Sequence, residues 1–414
     1  MVNVIKFISS KNGQLLTILF LPSLIYYGNF IFRLLGMDGY MSYLYGLLAI
    51  YSTYIILSAM FFGKNSRTTI FVIVVLFFIF LAFSLHDNGR YIIGKEGLSL
   101  YTFLTSDLGS FYSLIMPLWV LFFNGVRLEC VFEKSIWISR FMVILQIVIF
   151  LFAHSMGAFE LLSEDYMSFA YYGLLPVIVL FFNRRESLLN AILFGIGVFS
   201  ILIIGSRGAL MTMILFLLLY YILKPLIVGG RTTALILTLL LIPVFLVVDF
   251  NSIVNSINAQ LESIGFTSRT LTKYLSGVDD FSASSGRDEI TSLALQNLKV
   301  LPDGLWGDRQ YSDVYVHNWI LEILLDAGIV IGTFIICYVI FLNIRAIICT
   351  KKSRNLKYLV MLCFGISLVW VKFMVSSSFL VDSYFSLALI MFLNVTNDKI
   401  YGKASYKTIS LSIS

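Results

Sequence analysis

Charge is what this chain has least of. Only 13% of its 414 residues are Asp, Glu, Lys or Arg, and 59% are hydrophobic, whereas a soluble domain carries about a quarter charged residues. A water-soluble globule is excluded, because too few polar side chains exist to cover its surface. Cysteine and histidine are scarce too, with four and three. Cys130 falls in a predicted inner loop, and Cys337, Cys349 and Cys363 lie in or at the inner ends of apolar runs. With no C-x-x-C spacing among them, neither a redox pair nor a zinc motif nor an outer disulfide framework is expected.

What is present is long apolar runs, at a mean hydropathy of +0.92. They approach the roughly 20 residues that a helix needs to cross a hydrocarbon core. The runs are Leu15 to Leu35, Met41 to Phe62, Thr69 to Leu85, Tyr101 to Phe123, Ile136 to Phe152, Met167 to Phe182, Leu188 to Gly205, Ala209 to Val228, Thr232 to Val248, Gly328 to Ile348, Tyr358 to Val375 and Leu380 to Val395. The pattern predicts an all-α, polytopic membrane protein with about 12 transmembrane helices. The first run has no small-residue cleavage site after it and contains Tyr26, Tyr27 and Asn29, so it is read as a retained crossing.

Lys and Arg concentrate on the cytoplasmic side of such proteins. With the N-terminus inside, 19 of the 29 basic residues and only 4 of the 23 acidic ones fall on inner segments. Both termini are therefore expected in the cytoplasm. The formal charge of +6 reflects this topology, and nothing supports a nucleic-acid partner. The expected organisation is nine crossings in residues 1–250, a long outer loop at 251–316, three crossings in 317–397 and a cytoplasmic tail at 398–414.

The loop is far longer than the roughly 15 residues that connections usually need. Its first half spaces Ile253, Ile257, Leu261 and Ile264 as an amphipathic helix at a membrane surface would. Its second half, "SGRDEITSLALQNLKVLPDGLWG", offers Ser285 and Asp288 as a capping pair and predicts a helix from Gly286 to Lys299. Arg287 continues the apolar stripe of Ile290 and Ala294, at a helix start where the dipole disfavours a cation and an anion would be welcome. Arg207, in "IIGSRGALM", also opens a helix, with Ser206 as its cap. His317, in "VHNWILEILLDAG", leads Ile320, Leu321 and Leu324, while Asn318, Glu322 and Asp326 line the neighbouring face.

Each residue also has an ordinary reading. Arg207 alone fits an interfacial anchor, Arg287 a surface ion pair and His317 a polar helix cap. Together, beside the one long loop, they read as a site. Lys372, an intramembrane cation near the outer end, is functional or snorkelling. His86 and His154 lack ligand spacing, so no metal site is expected. Arg33, Arg90, Lys95 and Arg309 could widen an anion-attracting surface.

The combination of "GSRGAL", "SSGRDEI", "LPDGLWG" and "HNWILEILLDAGIVIG" resembles the bacterial O-antigen polymerase and O-antigen ligase superfamily, over the whole twelve-crossing layout. The resemblance implies a metal-independent, cofactor-free glycosyltransferase of the inner membrane. Its donor would be a glycan on undecaprenyl pyrophosphate, used at the periplasmic face. A polymerase moves the growing chain onto a new lipid-linked repeat unit, a ligase onto lipid A-core; the polymerase is preferred, because no strongly basic outer loop is present for a phosphate-rich acceptor. Arg207 and Arg287 would then clamp pyrophosphate, and His317 would be the base, with Asn318 and Glu322 orienting the ring or sugar. Glu289 or Asp288 is the alternative base, with His317 on the pyrophosphate, and Arg309 a further substrate contact. Membrane lipids and a chain-length regulator are the other partners implied. A lipid-linked oligosaccharide flippase is the rival from another class.

Overall fold

The computed structural model describes residues 10–37, 41–63, 65–77, 111–155, 159–204, 206–228, 250–263, 287–301, 316, 318–375 and 382–396. Among the described residues every regular element is helical. They are α1 (Lys11–Leu34), α2 (Met41–Phe62), α3 (Ser66–Phe77), a π-helical turn (Phe111–Ile115) running into α4 (Met116–Phe123), α5 (Glu129–Lys134), α6 (Ile136–Ser155), α7 (Phe159–Phe182), α8 (Leu188–Ile204), α9 (Arg207–Val228), α10 (Phe250–Ser263), α11 (Arg287–Gln296), α12 (Trp319–Ser353), α13 (Leu356–Ser367), a second π-helical turn (Leu368–Lys372), α14 (Phe373–Val375) and α15 (Ser383–Thr396).

Among the described residues five helices are long and apolar enough to cross a membrane: Lys11–Leu34, Tyr43–Phe62, Ile136–Ala153, Gly208–Ile227 and Trp319–Ser353. Five shorter apolar helices accompany them, and all ten coincide with predicted runs. The run Tyr358 to Val375 is helical throughout, from Leu356 to Val375, with a π-helical turn inside it, and Thr232 to Val248 lies outside the described residues. The chain is thus a helical membrane protein, while the count of twelve crossings rests on hydropathy alone.

The turns meet at one end of the bundle. Lys11 Nζ donates to the Asn124 carbonyl at 3.0 Å, and Asn65 Nδ2 to that of Phe123 at 3.0 Å. Asn183, between α7 and α8, donates to the Phe132 carbonyl of α5 at 2.6 Å, and Lys357 at the start of α13 pairs with Glu133. The starts of α1, α3 and α13 and the turns α4–α5 and α7–α8 therefore share this near end. Lipid supplies no hydrophobic force between helices, so packing must hold the bundle. It does so through Phe181 of α7, which meets Phe216 of α9 edge-on at 5.3 Å and Tyr220 at 4.9 Å, and Phe216 meets Phe364 of α13 at 6.4 Å. Because Tyr220 lies beside the near end of α7, the start of α9 points to the far end.

α12 is not one rod. Gly328 sits at φ 73°, ψ 165°, a backbone region open essentially to glycine alone. In a straight helix Ile323 and Gly332 would be separated by about 13 Å of rise. Instead a Cβ added at Gly332 would stand 3.0 Å from the Ile323 carbonyl oxygen. The chain therefore bends sharply between a short helix, 319–327, and a spanning helix, 329–353. The predicted crossing from Gly328 begins at this bend.

Candidate functional site

The bend frees the amides that open the spanning half of α12. Ile329 and Val330 donate to the carbonyls of Lys299 (2.9 Å) and Val300 (3.3 Å), just beyond α11. From that clasp α11 and the short half of α12 run back together, joined by a cluster of Ala294, Val316 and Leu325 with Ile290, Leu298 and Leu321 against it. The two helices lie in the same sense, so the Arg287 end of one and the Asn318 end of the other fall at the same end of the pair. The predicted stripe of Ile290 and Ala294 is the face that makes this contact. α11 stops at Gln296, three residues short of the predicted Lys299, because Asn297 turns its side-chain amide onto the Leu293 carbonyl at 2.7 Å.

Asn318 caps α12, its side-chain oxygen accepting from the amides of Ile320 (3.0 Å) and Leu321 (3.3 Å). This satisfies donors that the first turn leaves free. Behind it, Trp319 is fully buried, meeting Trp370 of the second π-helical turn at 5.9 Å and Phe385 of α15 at 5.7 Å. Glu322 and Asp326 follow one turn apart and are 1% and 0% exposed. Burial of a carboxyl group is tolerated only where partners offset the loss of water.

Arg207 is the first residue of α9, and Ser206 caps that helix as predicted, accepting from the Ala209 amide at 3.3 Å. α9 packs on the second π-helical turn and on α12. Its start and that of α12 thus lie at the same, far end of the bundle. Arg287 is the first residue of α11 and Glu289 is in its first turn. Among the predicted site residues, Arg207, Arg287, Glu289, Asn318 and Glu322 are all at helix starts. His317 and Arg309 lie outside the described residues, as do Ser285, His86, Arg90 and Lys95.

Two groups carry more than the sequence reading assigned. Asp326 was placed on the Asn318 and Glu322 face without a role; its spacing of four from Glu322 was the available signal. Lys372 is buried and pairs with Asp382, its ammonium facing the rings of Phe373 and Tyr384 at 4.7 Å each and Tyr171 at 4.9 Å. The sequence gives no sign of this partner, since ten residues separate the two. Among the described residues no three His, Cys, Asp or Glu side chains gather as a metal site would require, and the four cysteines are unpaired.

The fold and these contacts define a membrane-embedded helical protein in which two helices open with arginine and a third, capped by Asn318, carries the buried Glu322 and Asp326. Comparison with protein-family models, curated proteins and solved structures gave no match.

Proposed function

We propose that the chain is a glycosyltransferase that polymerises undecaprenyl-pyrophosphate-linked repeat units at the periplasmic face of the inner membrane. The observation that carries the reading is the parallel packing of α11 on the short half of α12, which ties the helix opened by Arg287 to the helix capped by Asn318. Helix starts favour anions through free amides and the dipole. The resemblance in "GSRGAL", "SSGRDEI" and "HNWILEILLDAGIVIG" adds the substrate class.

In this reading an acceptor hydroxyl attacks the anomeric carbon of the donor sugar, and the bond from that carbon to the pyrophosphate oxygen breaks. The hydroxyl proton passes to His317, and the departing pyrophosphate keeps the electron pair. Arg207 and Arg287 stabilise its growing charge in a partly dry site, where such contacts are worth more than in water. Asn318 and Glu322 orient the base or the sugar. In the alternative assignment Glu289 or Asp288 takes the proton and His317 binds the leaving group.

The test compares His317→Ala, Glu289→Gln and Arg287→Lys for glycan length in cells. Loss in His317→Ala with Glu289→Gln unaffected supports the histidine base, and the reverse supports the carboxylate. Unchanged length in all three removes the site. Deletion of the chain separates the related activities: lipopolysaccharide capped by one repeat marks a polymerase, and bare core with accumulated lipid-linked polymer marks a ligase. Repeat units trapped in the cytoplasm mark a flippase, a second reading that the buried Lys372–Asp382 pair beside a π-helical turn favours, since transporters use such features.

A further inference from the structure

The pair Lys372–Asp382 is remote in sequence from every residue of the proposed site, yet it meets the site's scaffold. Asp382 uses both oxygens. Oδ2 holds the Lys372 ammonium, and Oδ1 accepts from the Tyr384 amide at 2.8 Å, at the start of α15. One carboxylate thus fastens the last residue of the second π-helical turn to the first turn of the next long helix. Trp370 stands two residues before Lys372, and Phe385 three after Asp382. These two side chains are the walls against which Trp319 packs, and Phe373 backs Phe385 at 5.1 Å. The Tyr384 hydroxyl, donating to the Tyr171 carbonyl at 3.2 Å, ties the same turn to α7.

We propose that Lys372 and Asp382 are positioning residues that set the width of the Trp319 slot, and so fix where the helix start bearing Asn318 and Glu322 stands. The consequence for catalysis rests on the function proposed above; the mechanical link does not. A π-helical turn replaces the regular ladder of the α-helix over a few residues and so shifts the direction of the side chains that follow. An ion pair at its end, enclosed by three rings, gives it one geometry. An apolar contact of equal volume would preserve burial without that direction.

The experiment uses the full-length protein in detergent and in cells, with Lys372→Met, Asp382→Asn and the double variant Lys372→Met/Asp382→Asn. Asparagine keeps the cap on α15 and methionine keeps the volume. Each single variant leaves a buried charge without its partner and is expected to lose heat resistance. The double variant has no stranded charge and is expected to recover it. If the pair positions the slot, the double variant still shows roughly tenfold faster hydrogen exchange over 316–328 than the wild type, and shortened glycan. Wild-type exchange over 316–328 in the double variant overturns the proposal. Raised exchange there, with glycan length unmoved by His317→Ala, Glu289→Gln and Arg287→Lys, upholds the mechanical link and overturns the functional reading.

Discussion

Replacing Gly328 by alanine tests the bend on which the site is built. At φ 73°, ψ 165° an L-residue meets strain of about 1–3 kcal/mol, a factor of roughly 5 to 150 in the equilibrium between bent and opened forms. Relief by straightening would cost the two hydrogen bonds from Ile329 and Val330 to Lys299 and Val300, worth roughly 0.5–1.5 kcal/mol each. It would also pull Ile323 away from Gly332. Gly328→Ala is therefore expected to speed hydrogen exchange at Ile329 and Val330 and across 287–301, and to lower resistance to heating. Gly195→Ala is the control: it lies in α8 with nothing within 4 Å of an added Cβ, so it should be neutral or gain up to about 1 kcal/mol in helix propensity. Equal exchange and heat resistance in the two variants would refute the argument that the bend needs glycine.

Gly365→Ala would place a methyl 2.7 Å from the ring of buried Phe392, so overpacking between α13 and α15 should cost about 1–3 kcal/mol, read as lower heat resistance, with Gly195→Ala again the reference. Ser206→Ala should destabilise the start of α9 by about 1 kcal/mol and Ser206→Asn should not, because either Ser or Asn can accept from a first-turn amide; exchange at the α9 start distinguishes them. Burial pushes the Cys130 thiol up to about 11 from 9.0. At pH 8 its thiolate fraction is then about a hundredfold below that of an ordinary cysteine, and since the thiolate is the reactive form, maleimide labelling of Cys130 should still be rising steeply at about pH 10, where that of an ordinary thiol levels.

Hydropathy made the helices legible because each spanning run must be apolar along its length. The ends were legible where a side chain closes a free amide, as Ser206 and Asn318 do. The amphipathic spacing of Ile253 and Ile257 likewise matches α10, and that of Ile290 and Ala294 matches the face α11 presents to α12. The sharp bend was hidden, since Gly328 in "DAGIVIG" reads equally as a helix start or a helix interior. Hidden too were the π-helical turns, which leave no composition signal, and the Lys372–Asp382 pair, which depends on two helices meeting. For the site, sequence placed Arg207, Arg287, Glu289, Asn318 and Glu322 at helix starts. It did not show that α11 and the short half of α12 run side by side, because that follows from the bend at Gly328 and from contacts that form only when the two helices meet.

The clasp between Lys299, Val300 and the amides after Gly328 joins the end of α11 directly to the start of the long half of α12. A helix that is long for its bilayer responds by tilting, and a tilt of the long half of α12 would act on α11 through those two hydrogen bonds. The arginine that opens α11 would then shift against its neighbours as acyl chains are lengthened or shortened.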